Sequence, residues 1–200
     1  MRRKSFDTLV STAGLVIAAV LFTASGLLFW AHSFIDDNVR TQLVAQKIYF
    51  PPKGSDALND PAIKPYLSQY AGQQLTTGAQ AKAYADHFIA VHLNGIGGGK
   101  TYSEISGQYL QQCSDPKAAA TAACQQLGAT RQTMFMGETL RGLLLYGYAF
   151  ATMGVIAGYA ALTCFVGAAL LLVLVGLGFW HARRSRQDVI PEAQPVGAQV

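Results

Sequence analysis

Two stretches of the 200-residue chain carry no charge, and they frame everything between them. The first runs from Leu9 to Trp30 (LVSTAGLVIAAVLFTASGLLFW). As a helix it rises about 33 Å, enough to cross a hydrocarbon core of about 30 Å. Trp30 closes it with a ring suited to the interface. The second runs from Gly142 to Trp180 and as one helix would be about 58 Å long, nearly twice that thickness. Two short spans meeting near Gly158 are one solution. Charge selects another. Arg2, Arg3 and Lys4 precede the first stretch, and His181, Arg183, Arg184 and Arg186 follow the second. Basic flanks stay in the cytoplasm, so both ends inside requires an even number of spans. The pattern predicts an all-α membrane protein with transmembrane helices at 9–30 and about 157–180. Residues 142–156 are read as the outer continuation of one long apolar helix, 142–180. Residues 1–8 and 181–200 are assigned to the cytoplasm, and 31–141 to a helical extracytoplasmic domain. A cleaved signal peptide competes for the first stretch, with Ala24 or Ala31 near the cleavage point, but its apolar core exceeds the usual 7–15 residues. The tail QDVIPEAQPVGAQV has Pro191, Pro195 and no periodicity, and reads as disordered.

Between the spans the period is helical. Ile35, Val39 and Leu43 recur every four residues, so the first helix is expected to continue past Trp30 until Pro51-Pro52. Pro61 and Pro65 bracket a shorter element that includes Tyr66 and Tyr70. Thr77 reads as an N-cap for a helix over 78–93 with a stripe of Ala81, Tyr84, Ala85, Phe88 and Val91. Another helix is expected from Tyr102 to about Gln112. Asp115 followed by Pro116 starts the next, as N-cap and first helical position.

NGIGGGKT, Asn94–Thr101, resembles a phosphate-binding loop. Such a loop needs a glycine at the position held by Asn94 and a buried strand before it. Here a helix precedes it. The spacing therefore predicts an αα-hairpin turn, with Asn94 or Gly95 ending one helix and Thr101–Glu104 forming the capping box of the next. No nucleotide is expected. Gly97, Gly98, Gly99 and Lys100 remain a candidate docking loop for a partner or an anionic head group.

Composition agrees with a membrane chain. Half of it is hydrophobic (51%) and only 13% is charged, about half the usual share. The net charge of +4 comes largely from the ends, and no nucleic-acid motif is present. Cys113 and Cys124 fall in the predicted outward segment and are expected to form a disulfide in an oxidising compartment. Cys164 falls in the second span and reads as a small apolar packing residue.

The stretches YADHFIAVHLNGIGGGKTYSEIS (84–106) and MGETLRGLLLYGYAFATMG (136–154) resemble a family of membrane proteins from high-GC Gram-positive bacteria. The similarity covers about two thirds of the chain and implies the two-span topology without an established activity. Some members carry the name of an aromatic ring-opening dioxygenase. Non-haem iron needs two histidines and a carboxylate converging. His87 and His92 are five apart, off a common helical face, and nothing in the spacing brings His32, Asp36 or Asp37 to them. No cofactor or metal is assigned.

One pattern points outward from the chain. Gly147, Ala151, Gly154, Gly158 and Ala161 form a seam of small residues along the second long helix, at spacings that allow close helix approach. It either packs on the first span, which offers Gly14 and Ala18, or receives a second copy or another membrane protein. Three functions follow as expectations. The first is a non-catalytic accessory or scaffold protein presenting its outward domain to a membrane or envelope partner. The second is a ligand sensor signalling through a partner. The third is an outward-facing enzyme using His32, His87 or His92.

Overall fold

The computed structural model describes residues 3–184, with side chains from Ser5 onward. The side chains of Arg2, Arg3 and Lys4 lie outside the described residues, as do Arg186 and the tail to Val200. Among the described residues the chain is all-helical. α1 spans Arg3–Ala45 and α7 spans Ala122–Arg184. Between them lie α2 (Lys64–Leu67), α3 (Gly78–Tyr84), α4 (Ala90–Ile96), α5 (Tyr102–Gln112) and α6 (Pro116–Ala119). α1 and α7 are long and apolar enough to cross a membrane, and few residues of either apolar window are buried within the chain. The chain divides into two compact units, Met1–Trp30 with Ala157–Val200, and Ala31–Ile156. Trp30 is the last residue of the first uncharged stretch, and Ala157 lies within the second.

The first unit pairs its part of α1 with its part of α7. Ser11, Ala18 and Ser25 are buried at seven-residue intervals, and so are Ala161, Ala168, Val175 and Ala182. A strict seven-residue repeat keeps two helices facing each other as they wind. Small side chains bring the backbones together, and a methyl on Gly14 would come within 2.9 Å of Val175 Cγ2. Ser25 donates across the seam to the Ala161 carbonyl at 2.9 Å, and the Phe22 and Phe165 rings lie 6.3 Å apart.

The second unit has an apolar core. Phe50, Ile63, Leu67, Leu75 and Met134 are its largest fully buried side chains, joined by Leu43, Ala81, Ala85, Leu93 and Leu144. Two features of this core differ from the sequence expectation. α1 stops at Ala45, six residues before Pro51, because Gln46 and Lys47 bond back to Leu43 and Val44 in a turn and Lys47 takes φ 52°. The freed chain then runs extended. Phe50 N–H donates to Gln73 O and Leu75 N–H to Ile48 O, each at 2.9 Å, and the Phe50 and Leu75 side chains are both buried in the core. The second difference lies between α3 and α4, where Ala85–Ile89 forms a π-turn and Ala90 N–H bonds to Ala85 O. The turn inserts one residue into the helix. The buried positions become Ala81, Ala85, Ile89 and Leu93, four apart, where an unbroken α-helix would have turned Leu93 away.

The helix starts follow the predicted chemistry. Thr77 and Thr101 each form a full capping box, with Gln80 and Glu104 respectively. Asp115 Oδ1 accepts from Lys117 and Ala118 N–H, with Pro116 in the first turn. α6 is only one turn long, and Ala120–Thr121 separate it from α7. The Cys113–Cys124 disulfide staples the end of α5 to the start of α7, and both cysteines are buried.

Candidate functional site

The glycine loop closes on itself. α4 runs on to Ile96, two residues beyond Asn94, and it is Gly98 and Gly99 that take positive φ (58° and 79°). The amides of Gly97, Gly98, Gly99 and Lys100 donate to Leu93, Asn94, Gly95 or Gly97 carbonyls. Thr101 N–H donates to Glu104 Oε2 at 2.7 Å. A phosphate site is built from amides pointing outward, and here all five are spent within the chain. The Thr101 N–H, then its hydroxyl, hold the Glu104 carboxyl below its ordinary range, with Lys100 adding to the effect. Of the candidate docking loop, Lys100 keeps an exposed ammonium, 3.3 Å from Gln108 Oε1. Gly97 faces inward, where a methyl would meet the Lys100 carbonyl at 2.5 Å.

The three candidate histidines go to separate places. His87 stacks on Tyr66 at 3.5 Å, His92 Nδ1 bonds to the Phe88 carbonyl at 2.7 Å, and His32 Nδ1 bonds to the Gly154 carbonyl at 2.8 Å. A carbonyl only accepts, so each bonded Nδ1 carries its proton. Among the described residues no group of three or more His, Cys, Asp or Glu side chains is placed to hold a metal ion.

Much of the small-residue seam is occupied from within the chain. In the second unit, Gly147 faces Leu43, Gly154 faces Ile35 and His32, and Ala151 faces Gly78. In the first unit, Ala161 is buried and its carbonyl accepts from Ser25, while Gly158 is half-buried. A partner reaching α7 of the second unit through Gly147, Ala151 and Gly154 would have to displace those contacts. The surface open to a partner there lies elsewhere on the helix.

Beside the seam lies an ion-pair cluster. Asp86, in the π-turn, pairs with Lys82 and reaches Arg141 Nη2 at 3.4 Å; Arg141 Nη1 reaches Glu138 Oε2 at 3.4 Å. The Lys82 ammonium also sits 5.5 Å from the Tyr148 ring centre. The sequence offers the Glu138–Arg141 pair by spacing, but Asp86 is remote from both and only the fold brings it in. The Lys82 hydrogen bond holds the Asp86 carboxyl below its ordinary range, and the same bond raises the Lys82 ammonium. The signs then differ. The Asp86 contribution is present above the ordinary carboxylate range and is lost as pH falls through the lowered value. The Lys82 contribution is present below the ordinary lysine range and is lost as pH rises through the raised value. We therefore expect Asp86→Asn to cost about 0.2–1 kcal/mol at neutral pH, as exposed pairs do, and to flatten part of the acid-side stability loss. Unfolding temperature measured from pH 3 to 8 checks this; parallel curves for the two proteins would refute it.

On the other side of α7 the second unit has an open groove of about 460 Å³. α1 supplies Phe34, Ile35, Val39 and Leu43, and α7 supplies Leu143, Leu144, Phe150 and Met153. Its polar border is Asn38 and Gln42 on α1 and Gln46 in the turn after it, all exposed. The sequence carried this signal, an amide row beside the Ile35–Val39–Leu43 stripe. The stripe alone is ordinary core periodicity, however, and nothing local marks its flank as a rim. No protein-family model, curated protein or solved structure matches the chain.

Proposed function

We propose that the chain is a two-span cell-membrane protein with both termini in the cytoplasm, and that residues 31–141 form an extracytoplasmic helical domain. Its function is that of a non-catalytic accessory or scaffold protein, presenting the outer part of α1 and α7 to a membrane or envelope component. The observation that carries this reading is the apolar surface of α7 within the second unit. Leu143, Tyr146, Phe150 and Met153 are 55–67% exposed, in the segment that precedes the predicted span. Contiguous apolar surface of this kind marks an interaction site for protein or membrane. The buried disulfide supports an oxidising compartment for residues 113–124. The basic residues flanking both apolar stretches support the orientation.

Two measurements test the proposal. In intact cells an impermeant thiol label is expected to react at Lys100→Cys and not at Arg183→Cys; the reverse pattern overturns the orientation. In gentle detergent, the tagged full chain is expected to co-purify with a membrane protein in fixed stoichiometry, with native mass on the same sample. A lone monomer would refute the scaffold reading.

A further inference from the structure

We propose that the cleft between α5 and α7 of the second unit binds a small organic monocarboxylate with an apolar body. The cleft has a volume of about 330 Å³, within the range of small-ligand sites. Tyr102 and Tyr109, two turns apart, line it from α5, and Gly128, Arg131, Gln132 and Phe135 line it from one face of α7. Both ends are tied. The Cys113–Cys124 disulfide joins the two helices beyond Tyr109 and Gly128, and the Tyr102 and Phe135 rings lie 5.6 Å apart. A methyl at Gly128 would meet Tyr109 Cε2 at 3.2 Å, so that ring lies close against α7. Arg131 is half-buried beside it, with Cζ 4.9 Å from the ring centre. Among the described residues Arg131 has no ion pair and no hydrogen bond. The acidic side chains nearest in the chain are committed elsewhere: Asp86 and Glu138 to Arg141, Glu104 to Thr101, and Asp115 to the Lys117 and Ala118 amides. An anion for this guanidinium therefore comes from outside the described chain. The side chains of Tyr102, Tyr109 and Gln132 also make no hydrogen bond to another described residue, which leaves two phenols and an amide open to a ligand. No other cation lines the cleft. One guanidinium matches one carboxylate, two N–H donors to two oxygens, whereas a phosphate dianion draws on further cations or a nest of amides. The Tyr102 and Phe135 rings supply apolar surface beside that charge. The site needs only the fold of the second unit, so neither the orientation nor the scaffold reading bears on it.

The test uses the full chain in an uncharged detergent, with benzoate as the probe, calorimetry as the readout and titration into detergent alone as the blank. Saturable binding is expected, with a dissociation constant of about 1 mM or below. Benzyl alcohol carries the same ring without the charge and is expected to bind roughly tenfold more weakly, and inorganic phosphate is expected not to displace benzoate. Arg131→Gln is expected to weaken benzoate roughly tenfold while leaving benzyl alcohol unchanged. Arg131→Lys keeps the charge and loses the fork, so its affinity is expected to fall between the two. Should Arg131→Gln fail to fold, judged by thermal unfolding, Tyr109→Phe is expected to weaken benzoate about threefold by removing one phenol. An absence of saturable benzoate binding would overturn the proposal. So would unchanged affinity in a folded Arg131→Gln, or displacement of benzoate by inorganic phosphate, which would make the cleft a general anion site. The thiol-label result at Lys100→Cys and the co-purification judge the topology and the scaffold reading separately, so the readings can fail independently.

Discussion

Replacing Gly78 by alanine is expected to destabilise the second unit by about 1–3 kcal/mol, the usual cost of overpacking. A β-carbon at Gly78 would stand 2.3 Å from Ala151 Cβ and 3.2 Å from Tyr148 Cα. The second of these is backbone, so no rotamer change relieves it. The start of α3 would have to lift from α7, pulling on the Thr77–Gln80 capping box beside it. Gly107→Ala is the matched control. Gly107 lies within α5, and a methyl there meets nothing within 4 Å. The same chemical change is expected to stabilise by roughly 0.5–1 kcal/mol, because alanine loses less backbone entropy in a helix. Thermal unfolding of the purified protein in detergent should therefore move in opposite directions for the two variants. Shifts of the same sign would show that Gly78 is not held against α7 as described.

The second large effect is expected from the disulfide. Cys113 and Cys124 are 11 residues apart in sequence, and closing a loop of that size stabilises by about 3 kcal/mol in the chain-entropy account. Cys113→Ala with Cys124→Ala should lower the unfolding midpoint by that order and open residues 114–121 to proteolysis, since α6 is one turn and carries no buried side chain. The paired substitution is preferable to a reductant, because both sulfurs are buried. An unchanged midpoint would mean that the bridge adds nothing to the folded state's advantage.

What the chain revealed before folding depended on the range of each interaction. The caps at Thr77, Thr101 and Asp115 use partners three residues away or fewer, and their residue types alone identify them. α5 was predicted to within its ends, because Thr101 starts it and little but its own pattern sets its length. The cysteine pair was legible because only two of the three cysteines share a segment. The features that escaped depend on distant partners. Ile48–Phe50 leaves the helix to pair with Gln73–Leu75, a choice made by backbone groups that no side chain announces. Asp86 reads as the surface partner of Lys82 until α7 brings Arg141 beside it. The groove required two helices at once, since each wall alone is an ordinary amphipathic face.

The π-turn has a consequence in arithmetic. In the second unit the α3–α4 arm runs antiparallel to α7 and touches it at two close points, Gly78 against Ala151 and Leu93 against Gly137. From Gly78 to Leu93 is fifteen residues; from Ala151 to Gly137 is fourteen. Two rulers with the same graduation cannot agree at both marks if one carries an extra division. Ala85–Ile89 is where the surplus division is folded away, so that both marks coincide. The arm is thus built one residue long for its track, and the spacing on α7 requires it to take up that residue between the two contacts.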